Sequence, residues 1–255
     1  MIEFRCRKLD ESLTPIISNE EIRDYAEALV RDYRPSLLKE PGKINPFHFI
    51  ESYLGAGVDY QDIYYEEGAP AIAGATVFHD EKIPVFDKDN QCVKAIPVRA
   101  NTIILDNATV AEGKDGFALF TALHEAGHLC MHQAAYGKRE TGSGNILCCR
   151  KMNIGRYDCG SGLTDSYLFR EHQANEFAAF LAMPRRTFVP YARELIKEAG
   201  FDDGVFLHDD KSWESDYALD TVIGTLRNTF GTSYTAVRIH LRKLGLLKRP
   251  FESEP

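Results

Sequence analysis

The succession of hydrophobic periods predicts an α+β fold, mainly helical, with one small antiparallel sheet and a helix-turn-helix-like segment at the C-terminal end. Three observations carry this. Helical spacing dominates the first 55 residues, short β-branched and aromatic runs crowd into 58–106, and helical spacing returns after Asp115.

Ser18 followed by Glu21 has the form of a capping box, and Ile22, Ala26, Leu29, Val30 and Tyr33 then repeat at helical spacing up to Pro35. Asn45 and Pro46 signal a short second helix through Phe47, Ile50 and Leu54, stopped by Gly55 and Gly57. The runs VDYQDIYY, AIAGATVF, IPVF and TIILD, separated by Gly, Pro, Asp and Asn, read as three to five strands. A helix follows through Phe117, Phe120, Leu123, Gly127 and Met131, then a polar stretch with several glycines over 137–163, and a helix from about 165 that stops at Pro184. Leu219, Val222, Ile223, Leu226 and Phe230 form a last stripe closed by Gly231, after which Ser233 caps a helix through Ala236, Val237, His240, Leu241 and Leu244.

With 255 residues, 44% hydrophobic and 27% charged, the chain has the proportions of a soluble globular protein and not of a disordered or fibrous one. No stretch approaches the roughly 20 apolar residues of a bilayer span, and the start MIEFRCRKLDES lacks the apolar core of an export signal. The six cysteines are too sparse and irregular for a disulfide scaffold, which points to the cytoplasm. A net charge of −8 argues against a surface that binds polyanions as a whole. Charge is uneven, however: 201–220 holds seven acidic residues against one Lys, whereas 221–250 holds six basic residues and no acid. That switch marks the best candidate boundary, and the chain divides into 1–200 and a C-terminal segment, 201–255, packed on or next to it.

His124-Glu125-Ala126-Gly127-His128 is an HExxH sequence inside a segment that reads as helix on other grounds. Residues four apart share a helix face, so two imidazoles can grip one metal ion while Glu125 stands beside it. Zinc suits neutral imidazoles and acidifies water, and the adjacent carboxylate can pass the water's proton to a leaving amine, which amounts to hydrolysis of an amide. His132 lies on the same stripe but about 12 Å of helix rise from His124. It therefore cannot join both histidines on one ion and is assigned a supporting place behind the ligands. Glu171 shares a stripe with the small residues Ala174, Ala178 and Ala182, and with Asn175, on a helix able to approach a partner closely. A carboxylate buried there needs a cation. His172 and Glu176 are rotated off that stripe.

HEAGHLCMH, EHQANEFAAFLAMP and SYTAVRIHLRKLGLL together resemble the ImmA/IrrE family of zinc metallo-endopeptidases, over most of 20–250. The resemblance implies a zincin-like core holding one zinc ion, or another divalent metal, on His124, His128 and Glu171, with Glu125 as the base. It also implies a cytoplasmic protease whose protein substrate is a helix-turn-helix repressor, cut in regulated proteolysis. Asn175 stands where thermolysin-like enzymes place a carboxylate behind a zinc-bound histidine, and its amide oxygen can still accept from an imidazole N–H.

Further expectations complete the reading. An oxyanion donor is sought among Tyr136, Tyr157, Tyr167 and His208. Thr102–Asp106 is expected to be an exposed strand edge on which an extended substrate is laid. Cys148, Cys149 and Cys159 are read mainly as loop thiols, with a second metal site or a thiol switch as lesser readings. Arg227, Arg238, Arg242, Lys243, Lys248 and Arg249 make a basic face better suited to packing or substrate docking than to DNA. The competing function, a DNA- or protein-binding regulator with a structural metal and no protease activity, is disfavoured by Glu125, since a structural site has no use for a non-ligand carboxylate.

Overall fold

The structure, a computed structural model, describes residues 2–136, 165–209 and 211–249, together with the backbone of 146–150. It is an α+β fold. The elements run α1 (Asn19–Tyr33), a 3₁₀ turn (Pro35–Leu38), α2 (Pro46–His48) continuing as a π-helical segment (Phe49–Leu54), then β1 (Gly57–Gln61), β2 (Ile72–Val77), β3 (Glu81–Asp87), β4 (Cys92–Val98) and β5 (Thr102–Asp106). These are followed by α3 (Asp115–Met131), α4 (Gln133–Tyr136), β6 (Ile146–Arg150), α5 (Ser166–Ala182), α6 (Arg185–Glu198), β7 (Phe206–Leu207), α7 (Trp213–Phe230), α8 (Tyr234–Lys243) and β8 (Leu247–Lys248).

The helix ends are set by local chemistry. Ser18 and Glu21 form the reciprocal capping box of α1, Asn45 accepts from the His48 N–H at the start of α2, and Asp165, Ser212 and Ser233 cap α5, α7 and α8. Gly55 and Gly231, at φ 69° and 70°, end their helices in the left-handed region that glycine enters without a Cβ penalty.

Two features of the sheet depart from expectation. The main sheet has the order β1-β5-β2-β6, and β1 runs parallel to β5, so it is mixed and not purely antiparallel. The cause is the long excursion from 62 to 101, which returns the chain in its original direction, as a parallel pair requires. Part of that excursion, β3 and β4, pairs as a separate hairpin whose Ile83, Val85 and Val98 share an apolar cluster with Ile63 and with Ile72, Val77 and Ile104 of the main sheet. Secondly, Thr102–Asp106 is no edge, because β5 is hydrogen-bonded to β1 on one side and β2 on the other. Ile103, Ile104 and Leu105 are wholly buried, as suits a strand covered on both faces, and the continuous apolar run TIILD already had that character. The edges of the sheet among the described residues are β1 and β6.

Helix α3 is buried on nearly all sides from Ala118 to Leu129, with α5 on one flank and β2 and β5 on another. It is the central helix, which is why its apolar residues do not form a single stripe. The segment after Pro184 forms α6, which periodicity did not single out, and buries Phe188, Ala192 and Ile196. The acid-to-base switch at 220/221 falls inside α7, while the 200/201 division lies between α6 and β7. Leu219, Ile223, Leu226, Val237 and Leu241 belong to the same contiguous core as Ile22, Phe120 and Phe177. Among the described residues no helix is long and apolar enough to cross a membrane.

Gly116, in the first turn of α3, lies where a Cβ would come within 2.5 Å of the Thr232 backbone in the α7–α8 turn. Backbone cannot yield as a side-chain tip does. Gly116→Ala should therefore destabilise the protein by about 1–3 kcal/mol in chemical denaturation through overpacking, outweighing the helix-propensity gain of about 1 kcal/mol. An unchanged or raised denaturation midpoint would contradict this packing.

Candidate metal centre

The close approach of α3 and α5 starts from small residues. A Cβ on Gly127 would stand 3.0 Å from Phe177 and 3.2 Å from the Cα of Ala174, so the glycine of the HEAGH sequence and the alanine stripe of α5 admit one another. Across this contact, His124 Nε2 and His128 Nε2 lie 2.9 Å apart. Glu171 Oε2 is 3.4 Å from the first and Oε1 is 3.3 Å from the second. Both histidines are fully buried and Glu171 is 3% exposed. Donor separations near 3 Å suit one small cation, since ligands about 2.0–2.1 Å from zinc are about 3.4 Å apart in a tetrahedral site. Among the described residues these three are the one group whose ligand atoms converge in this way.

The electrostatics agree with a cation site. Burial works against the charge on Glu171, yet the His124 and His128 rings against it hold its carboxyl well below the ordinary range. At His124, burial favours the neutral ring, but the hydrogen bond and charge of Glu171 outweigh it and raise the pKa. Burial lowers His128 to about 4. Positive charge is thus demanded at this point, and without a metal a proton on His124 answers that demand. Two imidazoles and a carboxylate form a donor set typical of zinc, so the residues fit the metal that HExxH implies.

Each expected supporting residue is in contact. Asn175 Oδ1 accepts from His124 Nδ1 at 3.0 Å, and His132 Nδ1 is 2.9 Å from His128 Nδ1. Glu125 lies beside the cluster, wholly buried. Its Oε2 accepts from the Thr76 hydroxyl at 2.6 Å, while Oε1 has no hydrogen-bond partner among the described residues. Burial pushes this carboxyl up to about 8, opposed by the charge of His124 and the Thr76 hydrogen bond and reinforced by the charge of Glu171. A dication among the three donors acts in the opposite sense and favours the carboxylate.

Several contacts here had no sequence signal of their own. Thr76 and Gly74 on β2 face Glu125, and a Cβ on Gly74 would meet its Oε1 at 3.0 Å. The glycine inside AIAGATVF was the available clue, because a strand glycine often marks a close approach. Gln173 Oε1 lies 2.8 Å from His132 Nε2. Nothing in its spacing distinguishes it from any buried amide.

The remaining candidates lie elsewhere. His172 bonds Asn19 and Glu176 pairs with Lys243, so both point away from the cluster, toward α1 and α8. Tyr136 stacks on Phe78 and accepts from Arg170 Nε at 2.9 Å. Burial raises its phenol, opposed by the charge and hydrogen bond of Arg170 and reinforced by the charges of Glu171 and Glu125. His208 is held by Asp216 at 2.6 Å in the corner between β7 and α7. Tyr167 stands in the first turn of α5, where its backbone N–H is capped by Asp165. Tyr157 and Cys159 fall outside the described residues, and of Cys148 and Cys149 only the backbone, in β6, is described. The basic C-terminal face is partly committed, since Lys243 is on Glu176.

No protein-family model matches the chain, and no curated protein does. Among solved structures, a Mycobacterium tuberculosis transcriptional regulator aligns with 92% of the chain at 13% identity and a TM-score of 0.38. The chain spans about half of that protein, 54% of its length, and the likeness is too distant to bear on fold or activity.

Proposed function

We propose that the chain is a zinc-dependent endopeptidase with a zincin-like core, in which His124, His128 and Glu171 hold the metal and Glu125 is the general base. The observation that carries the reading is the free Oε1 of Glu125, a buried carboxylate oxygen beside three converging donors but not one of them. A site that only held a metal for stability would close its coordination and leave no such group. Zinc there supplies Lewis acidity and brings the pKa of water down toward neutrality. Thr76 fixes one Glu125 oxygen at 2.6 Å, so the other is left to take a proton from the attacking water and hand it to the departing amine nitrogen. Asn175 holds the His124 ring through Nδ1, leaving Nε2 for the metal. Tyr136, whose oxygen already accepts from Arg170, retains its own proton to donate toward a carbonyl oxygen that gains charge.

The substrate class proposed is a helix-turn-helix repressor, on the strength of the resemblance in HEAGHLCMH and EHQANEFAAFLAMP. The purified chain, mixed with repressors encoded beside its gene, should yield defined fragments. Cleavage should stop with a zinc chelator and resume on adding zinc. Cleavage that survives complete metal removal would refute a metallopeptidase. If no such repressor is cut while the basic face retains DNA, the regulator reading takes its place.

A further inference from the structure

Gln173 joins the metal centre to the N-terminal segment. Its side-chain nitrogen is 2.6 Å from the carbonyl oxygen of Pro15, and its side-chain oxygen is 2.8 Å from His132 Nε2. A carbonyl can only accept, so the amide group facing Pro15 is the NH₂, and the oxygen necessarily faces His132. The residue is completely buried, as are His132 and His128. The segment around Pro15 is itself fastened to the same face of α5. Ser166 donates to Asp10 at 2.9 Å and Arg170 donates to Thr14 at 2.6 Å. Residues 166, 170 and 173 are spaced to share one helix face.

The fixed amide dictates where two protons lie. Facing an oxygen that can only accept, His132 Nε2 must carry its hydrogen. A neutral His132 then has a bare Nδ1, which accepts from His128 Nδ1–H at 2.9 Å. His128 Nε2 is consequently bare and aimed at His124 and Glu171. The reverse order, with the His128 proton on Nε2 toward Glu171, would leave His132 Nε2 and Gln173 Oε1 as two lone pairs 2.8 Å apart in a buried place.

We infer that Gln173 is a positioning residue: held by the Pro15 carbonyl, it orients the His132–His128 pair so that His128 presents a deprotonated Nε2 to the metal. The inference rests on the metal assignment proposed above, but its first readout needs neither metal nor substrate. In the metal-free full chain with ¹⁵N-labelled histidine, long-range nitrogen–proton spectra should show His128 as the Nδ1–H tautomer and His132 as the Nε2–H tautomer. Gln173→Glu keeps an acceptor for the His132 Nε2–H, so the His132 proton should stay on Nε2, but it gives up the N–H held by the Pro15 carbonyl and should loosen the segment around Pro15 from α5. Gln173→Met has similar bulk and no acceptor, so the His132 signature should be lost and zinc affinity, by competition with a chelating dye, should fall about 10–100-fold. His128 found with its proton on Nε2 in the parent protein would overturn the inference, and so would Gln173→Met with tautomers and affinity unchanged. Should Gln173→Met fail to fold, the parent spectra still decide, since the tautomers of His128 and His132 are read there directly. A protein with these tautomers but no peptidase activity would refute the hydrolase and leave the positioning role intact.

Discussion

Glu125→Gln should retain metal and lose hydrolysis by about 10²–10⁴-fold, the span associated with removing a general acid–base group. The substitution keeps shape and volume, and an amide can still accept from the Thr76 hydroxyl that lies 2.6 Å from Oε2. What disappears is the basic oxygen. Because Glu125 is not one of the three converging donors, zinc stoichiometry by elemental analysis should be unchanged from the parent. Stability should not fall either, since burial is the main cause that pushes this carboxyl upward and a neutral amide escapes that desolvation. A Gln variant that cleaves as fast as the parent would remove Glu125 from the mechanism, and one that has lost its zinc would make it a ligand.

The parts legible in the sequence were those in which local chemistry decides. The capping box at Ser18, the Asn45-Pro46 start and the Gly231 stop follow from backbone groups within a few residues, so residue type and order suffice. The convergence of His124, His128 and Glu171 was legible for a similar reason: the spacing of HEAGH and the small-residue stripe containing Glu171 each fix a helix face. What was not legible depends on encounters between distant segments. Whether TIILD lies at an edge or in the centre is decided by which strands flank it, and β1, β2 and β6 all arrive from elsewhere in the chain. Gln173 and Thr76 acquire their roles from Pro15 and Glu125, each more than forty residues away. The charge switch at 220/221 falls within α7 because charge describes the exposed face of a helix, whereas its continuity is set by the buried one.

Glu171→Ala and Glu176→Ala should have crossed effects. Both carboxylates are buried on α5, five residues apart and turned to different faces. Glu171 meets His124 and His128, whereas Glu176 pairs with Lys243 on α8. Removing Glu171 deletes the one anionic donor and leaves two neutral imidazoles for a dication. Zinc affinity should therefore fall well beyond the 10–100-fold expected for Asn175→Ala, which only orients His124. Stability without metal should fall as well, because the depressed carboxyl of Glu171 and the raised pKa of His124 mark a favourable buried pair that the substitution breaks. Removing Glu176 leaves zinc affinity near that of the parent but strips a partner from Lys243, loosening α8 from α5 and lowering metal-free stability. The readout is thermal unfolding of each variant with and without zinc, since a ligand bound only by the native state raises Tm according to its affinity. Glu171→Ala should melt below the metal-free parent and gain little or nothing from zinc. Glu176→Ala should melt lower yet keep the zinc-induced rise. The opposite pattern would rotate α5 by most of half a turn, and the cluster of His124, His128 and Glu171 would have to be abandoned with it.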